Sequence, residues 1–94
     1  MMKTIIRDLG FPRFKLRYPI DVDLAKEGTK FIASFPEADL SVRGNTPEEA
    51  LQWMKAAIVN LFHTNDGKFS LDRLPLKQAM AMEKYVKVTE LKGT

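Results

Sequence analysis

The chain has no cysteine and only one histidine. Disulfide staples and thiolate metal sites are therefore excluded, and any metal site would have to rest on carboxylates. Glycine and proline are sparse, with five of each. Gly10, Gly28, Gly44 and Gly67 stand alone as turn residues, and none belongs to a phosphate-cradling loop. No apolar run approaches the length needed to span a bilayer. Arg7 and Asp8 interrupt the apolar residues near the N-terminus, which argues against a secretory signal and makes the cytoplasm the simplest compartment. An excess of one charge sign is also missing: fifteen cations against twelve acids leave +3, short of the dense basic stripe of a dedicated nucleic-acid-binding face.

What is present is ordinary globular composition, 45% hydrophobic and 29% charged in 94 residues. That length makes one domain with a modest core, for which self-association would add stability. Residues 1–16 read as an N-terminal arm. Ile5, Ile6, Leu9, Phe11, Phe14 and Leu16 are apolar, but Gly10 and Pro12 break any single period. The arm is expected to pack on the domain or on a neighbouring subunit. Residues 17–94 read as the single domain.

From residue 17 the pattern sharpens. Tyr18, Ile20, Val22 and Leu24 alternate with Arg17, Pro19, Asp21 and Asp23, the period of a strand with one buried face. Lys26-Glu27-Gly28 turns the chain. Residues 29–35 return as a second strand, with Phe31, Ala33 and Phe35 inward and Lys30, Ile32 and Ser34 outward. Pro36 ends it. Residues 39–43 supply a third strand with Leu40 and Val42 inward, and the short connections make the three antiparallel neighbours.

Gly44-Asn45 breaks the sheet, and Thr46-Pro47-Glu48-Glu49 opens a helix. The Thr46 hydroxyl is placed to accept from the Glu49 N–H, and Glu49 to reach back to the Thr46 N–H. Pro47 sits where a missing N–H costs nothing, and the two glutamates favour the positive end of the helix dipole. The buried stripe is Leu51, Met54, Ile58, Leu61 and Phe62, with Ala50 and Ala57 beside it. The helix is expected to end near His63, before the turn Asn65-Asp66-Gly67. Trp53 lies off the stripe, beside Glu49, Ala56, Ala57 and Asn60. It reads either as an interface anchor or as a ring covered by another segment. After irregular residues 68–75, Leu76, Ala79, Met80 and Met82 are spaced for a short helix. Residues 85–91 read as a fourth strand of the same sheet. The expected fold class is α+β: an antiparallel three- to four-stranded sheet in the order β-β-β-α-β with one long helix on one face.

Catalytic chemistry finds little to work with. His63 falls where a helix dipole favours a cation. Asp21 and Asp23 share a strand face, and a carboxylate pair is how many nucleases hold magnesium. On a half-exposed sheet, however, such a pair is ordinarily the wet side of the strand. Ser34, Ser41 and Ser70 have no histidine that the sequence places beside them. No catalytic residue, metal ligand or cofactor is expected, and the chain reads as a non-enzyme.

The ordered set Arg17-Tyr18-Pro19-Ile20-Asp21-Val22, the aromatic strand 31–36 ending in Phe35-Pro36, and Gly44-Asn45-Thr46-Pro47-Glu48-Glu49-Ala50-Leu51 resembles the HicB-like antitoxin family. The likeness covers about half the chain. It implies a truncated ribonuclease-H-like sheet without an active site, neutralisation of a small mRNA-cleaving toxin by occlusion, and assembly into dimers or larger homo-oligomers. Glu37-Ala38-Asp39 replaces the proline-glycine-cysteine turn often seen after the Phe-Pro pair. Many members also carry a following DNA-binding domain. None follows here before Thr94, so operator binding is not expected.

Candidate interface residues are Trp53, Ile32, Asp21 and Asp23, with Thr46 and Glu49 as the helix cap. The acids suit a basic RNA-binding toxin. An alternative is an orphan homo-oligomeric interaction module of the same fold with no toxin partner. Nucleic-acid contact through Lys3, Arg7, Arg13, Lys15 and Arg17 ranks last, because no aromatic lines up with them on a strand face.

Overall fold

The computed structural model describes residues 2–65, 68–71 and 74–88. The chain runs β1 (Met2–Ile6), β2 (Phe14–Leu16), β3 (Ile20–Glu27), β4 (Lys30–Phe35), a 3₁₀ turn η1 (Pro36–Ala38), β5 (Leu40–Gly44), α1 (Pro47–Asn60), β6 (His63–Asn65), β7 (Lys68–Ser70), α2 (Leu76–Tyr85) and β8 (Val86–Val88). It is an α+β fold. The main sheet has four antiparallel strands in the order β1-β3-β4-β5, and α1 packs on one face of it. No helix among the described residues is long and apolar enough to cross a membrane.

The core follows the alternation of β3. Ile20, Val22 and Leu24 are buried, and opposite them lie Ala33 and Phe35 of β4 and Ala50, Met54 and Ile58 of α1. A two-residue connection, Gly28-Thr29, joins β3 to β4, since Glu27 pairs with Lys30. Gly28 takes φ +63°, which a residue with a Cβ adopts only at a cost. After Phe35, Pro36 ends the ladder and starts η1, and Asp39 turns the chain into β5 in the left-handed region at φ 54°.

Several expectations are corrected. Residues 2–6 are a full edge strand of the main sheet, paired from Met2↔Leu24 to Ile6↔Ile20. Of the expected strand 85–91, the described residues 85–88 do not supply the fourth strand of that sheet. Instead β8 pairs with β2, Leu16 facing Val86, because the β3 edge is already occupied by β1; residues 89–91 lie outside the described residues. Tyr18 is exposed and precedes β3, which begins only after Pro19. A proline has no N–H for the ladder. His63 is not helical: α1 ends at Asn60, and His63 opens β6 opposite Ser70. Residues 68–70 are regular, forming β7, while Asp66 and Gly67 of the expected turn lie outside the described residues.

The second helix forms as expected, and of the apolar residues that mark it Met82 is buried and Ala79 half-buried. Leu76 and Met80 are 75% and 61% exposed, whereas Ala81 and Met82 are buried. The inward stripe is Gln78, Ala81, Met82 and Tyr85, an i, i+3, i+4, i+7 set. It docks α2 on η1.

Candidate functional site

The first turn of α1 fixes the candidate site. Thr46 has extended backbone, and its Oγ1 accepts from the Glu49 N–H at 3.0 Å. The reciprocal bond differs from the expectation. Glu49 Oε1 accepts from the Asn45 N–H at 3.2 Å rather than from that of Thr46, so the cap reaches one residue further back. Asn45 is also held from the side, its Oδ1 accepting from Lys30 Nζ of β4.

Gly44 sets how close α1 comes to the sheet. It is the last residue of β5 and is buried. A Cβ built there would lie 2.4 Å from the Ala50 nitrogen and 2.8 Å from its Cα. Its φ is not in the left-handed region, so the glycine serves close approach of backbone to backbone, not a turn. From sequence alone it reads only as a break in the sheet. A glycine followed by a capping box is the signal that marks such a contact.

This close approach leaves Trp53 beside the outer strand. Trp53 is 54% exposed and lines a shallow groove of about 330 Å³ with Val42, Arg43, Ala56, Ala57 and Asn60. Among the described residues β5 is an edge of the main sheet, bonded to β4 alone. The groove therefore runs along a strand whose outward N–H and C=O groups have no partner within the sheet. The only ion pair of Arg43 among the described residues is to Glu27, at 3.8 Å with both side chains largely exposed, a weak restraint.

The other candidates occupy a different surface. Asp21 and Asp23 point from β3, and Ile32 from β4, to the sheet face opposite α1. Asp23 sits between Lys3 of β1 and Ser34 of β4, and Ile32 between Ala25 and Arg43. Asp21 is exposed, and Asp23 and Ile32 are half-buried. The fold thus brings Asp21, Asp23 and Ile32 to one open face and sets Trp53 apart from them. Among the described residues, no group of three or more His, Asp or Glu side chains is arranged to hold a metal ion.

A polar clamp that sequence reasoning missed ties α2 to η1. Tyr85 Oη donates to Glu37 Oε1 at 2.7 Å, and Lys84 Nζ donates to Glu37 Oε2 at 3.1 Å. The Tyr85 hydrogen bond and then the Lys84 one hold the Glu37 carboxyl below the usual carboxylate range. The same bond to Glu37 raises Tyr85, and burial adds to that rise. The Tyr85 ring also meets Phe35 edge-on at 5.5 Å and Tyr18 at 6.5 Å. No short-range pattern joins Glu37 to Tyr85, so only the fold reveals the pair.

Comparison of the chain with family models, with curated proteins and with solved structures finds no match.

Proposed function

We propose that this chain is a protein-docking domain of the HicB-like antitoxin kind, which neutralises a small mRNA-cleaving toxin by covering its active surface. The observation that carries the reading is Trp53, a large ring standing exposed among small side chains beside the unpaired edge of β5. Tryptophan is among the side chains most enriched at positions that dominate binding energy. A partner strand laid along β5 would satisfy the outward backbone groups while its side chains fill the groove. The open face carrying Asp21, Asp23 and Ile32 offers acidic groups to a basic partner, which favours rapid encounter. On this reading the chain performs no bond chemistry and needs no cofactor.

The test is reconstitution. The product of the reading frame adjoining this gene is co-expressed with the chain, and its mRNA cleavage is measured with and without it. The expected result is a stable complex and suppressed cleavage, both lost with Trp53→Ala. Cleavage that continues at saturating protein defeats the reading.

A second reading, a homo-oligomeric module without a toxin, is supported by the same free edge, because β5 of one copy can pair with β5 of another. Sedimentation equilibrium distinguishes it. A dimer that dissociates on Trp53→Ala, with no effect on any neighbouring gene product, favours it.

A further inference from the structure

The small ribbon formed by β2 and β8 carries an arrangement that its own stability does not explain. Lys15 and Lys87 are directly opposed in its register, and both are exposed. Like charges directly opposite on a strand pair are destabilising. Neither lysine has an ion-pair partner among the described residues. Arg17 is exposed in the bend that follows β2, its backbone N–H fixed by the Tyr85 carbonyl at 2.7 Å. Phe14 and Val86 turn inward and anchor the ribbon, Phe14 packing on Phe62 with ring centroids 5.1 Å apart.

Next to this row lies a groove of about 540 Å³, bounded by Arg7, Asp8, Phe11 and Lys15 among others. Phe11 is 46% exposed. The acid in this lining is already engaged: Asp8 Oδ1 accepts from the Gly10 N–H at 2.9 Å, holding the loop where Gly10 turns at φ +79°. Arg7, Lys15, Arg17 and Lys87 bring four cations to the ribbon and the loop before it, and Asp8 is the acid among the described residues that line the groove. In the sequence no aromatic accompanies the cations on a strand, which ranks nucleic-acid contact last. The fold supplies the aromatic from the adjoining loop.

We propose that the β2–β8 ribbon and the loop before it bind single-stranded nucleic acid, with Lys15, Lys87, Arg17 and Arg7 on successive phosphates and Phe11 stacked on a base. The chemistry required is a row of spaced anionic groups with bare aromatic faces beside it. A single strand provides both, whereas a duplex hides its base faces. The opposed lysines then have a purpose, since a phosphate between them relieves their repulsion. This surface is separate from the Trp53 groove, and neither depends on the other.

The experiment is fluorescence anisotropy of a labelled single-stranded oligonucleotide of mixed sequence, titrated with the full chain across a salt series. Three to four phosphate contacts give a log–log salt slope of about −2 to −3. The expected result is that slope, at least tenfold weaker binding of the matching duplex, and about tenfold loss with Phe11→Ala. Lys87→Glu is the decisive variant. It places opposite charges across the ribbon, so it should raise the melting temperature while weakening binding more than tenfold, a combination that unfolding cannot produce. Lys15→Arg should keep both binding and slope. No binding at low salt, equal affinity for the duplex, or a Lys87→Glu protein that binds as well as the parent would overturn the proposal.

Discussion

The Tyr85 hydroxyl donates to Glu37 Oε1 at 2.7 Å, joining residues 48 positions apart in the chain. One end of the bond lies in η1, just after β4, and the other in the last turn of α2. The clamp therefore fastens the second helix to the turn that leads into β5. Because Lys84 binds the other carboxylate oxygen, Glu37 is held on both sides and α2 cannot roll without breaking two bonds.

The clamp gives stability a pH signature. The Glu37 carboxyl is lowered in the folded state, first by Tyr85 and then by Lys84. Its contribution is complete above the ordinary carboxylate value of about 4.3 and fades as pH falls through the lower folded value. Tyr85 is raised, mainly by its bond to Glu37. Its contribution is complete below the ordinary tyrosine value of about 10 and fades as pH rises through the higher folded value. Tyr85→Phe is expected to cost about 1 kcal/mol near neutral pH, the lower part of the range for a charge-assisted bond because the site is partly open to solvent. Thermal melts across pH should show the gap between wild type and variant narrowing at both extremes. A gap that stays constant into strong acid would show that Glu37 does not carry the effect.

Gly44 and Gly28 are expected to respond to alanine for different reasons. At Gly44 the added methyl meets the Ala50 backbone at 2.4 Å, and neither segment can yield without lifting α1 from β5. Gly44→Ala should cost about 2–3 kcal/mol. At Gly28 the space is open and only the positive φ resists, so Gly28→Ala should cost about 1 kcal/mol. Urea unfolding of the two variants gives the comparison, and equal costs would refute the close-approach account.

The cap of α1 is a local feature with a local test. Thr46→Ala removes the acceptor for the Glu49 N–H and is expected to lower stability by about 1 kcal/mol. Glu49→Gln keeps an acceptor for the Asn45 N–H and loses only charge at the helix start, so its cost should be about 0.5 kcal/mol. Denaturant midpoints of the two variants, measured at one pH, check the ranking.

Trp53 separates stability from docking. More than half of its surface is already in water, so Trp53→Ala should leave unfolding free energy within about 0.5 kcal/mol of the parent. Met54, the next residue, is fully buried, and Met54→Ala should cost about 2–5 kcal/mol. On the docking reading, Trp53→Ala loses its partner while folding normally. A Trp53→Ala protein as unstable as Met54→Ala would place the ring in the core instead.

The legible parts of this chain are those where one local rule decides the outcome. The alternation of Ile20, Val22 and Leu24 marks the central strand, and Thr46 through Glu49 mark the start of α1 to the residue. The exposure of Trp53 is one of two alternatives that its position on the helix leaves open. The second helix is legible, but its buried face only in part: apolar count favours Leu76 and Met80, while the true stripe admits the polar Gln78. Pairing partners are the least legible. Choosing between the main sheet and β2 for β8 depends on whether the β3 edge is free, and that depends on residues 2–6. There the pattern hides the strand, because Thr4 turns toward the α1 side while Ile5 is exposed on the other face.

That hidden strand leads to the last expectation. β1 covers the edge of β3 from Ile20 to Leu24, and Ile6 adds a fully enclosed side chain to the core. Deleting residues 1–6 would uncover β3 from Ile20 to Leu24 and leave its outward amides there without partners. An uncovered edge of this kind is a template for pairing with other chains. The truncated protein should unfold at markedly lower denaturant and sediment as concentration-dependent oligomers, whereas the full chain should show slow hydrogen exchange at the paired amides of β3. Fast exchange at those amides in the intact chain would mean that residues 2–6 do not hold the edge.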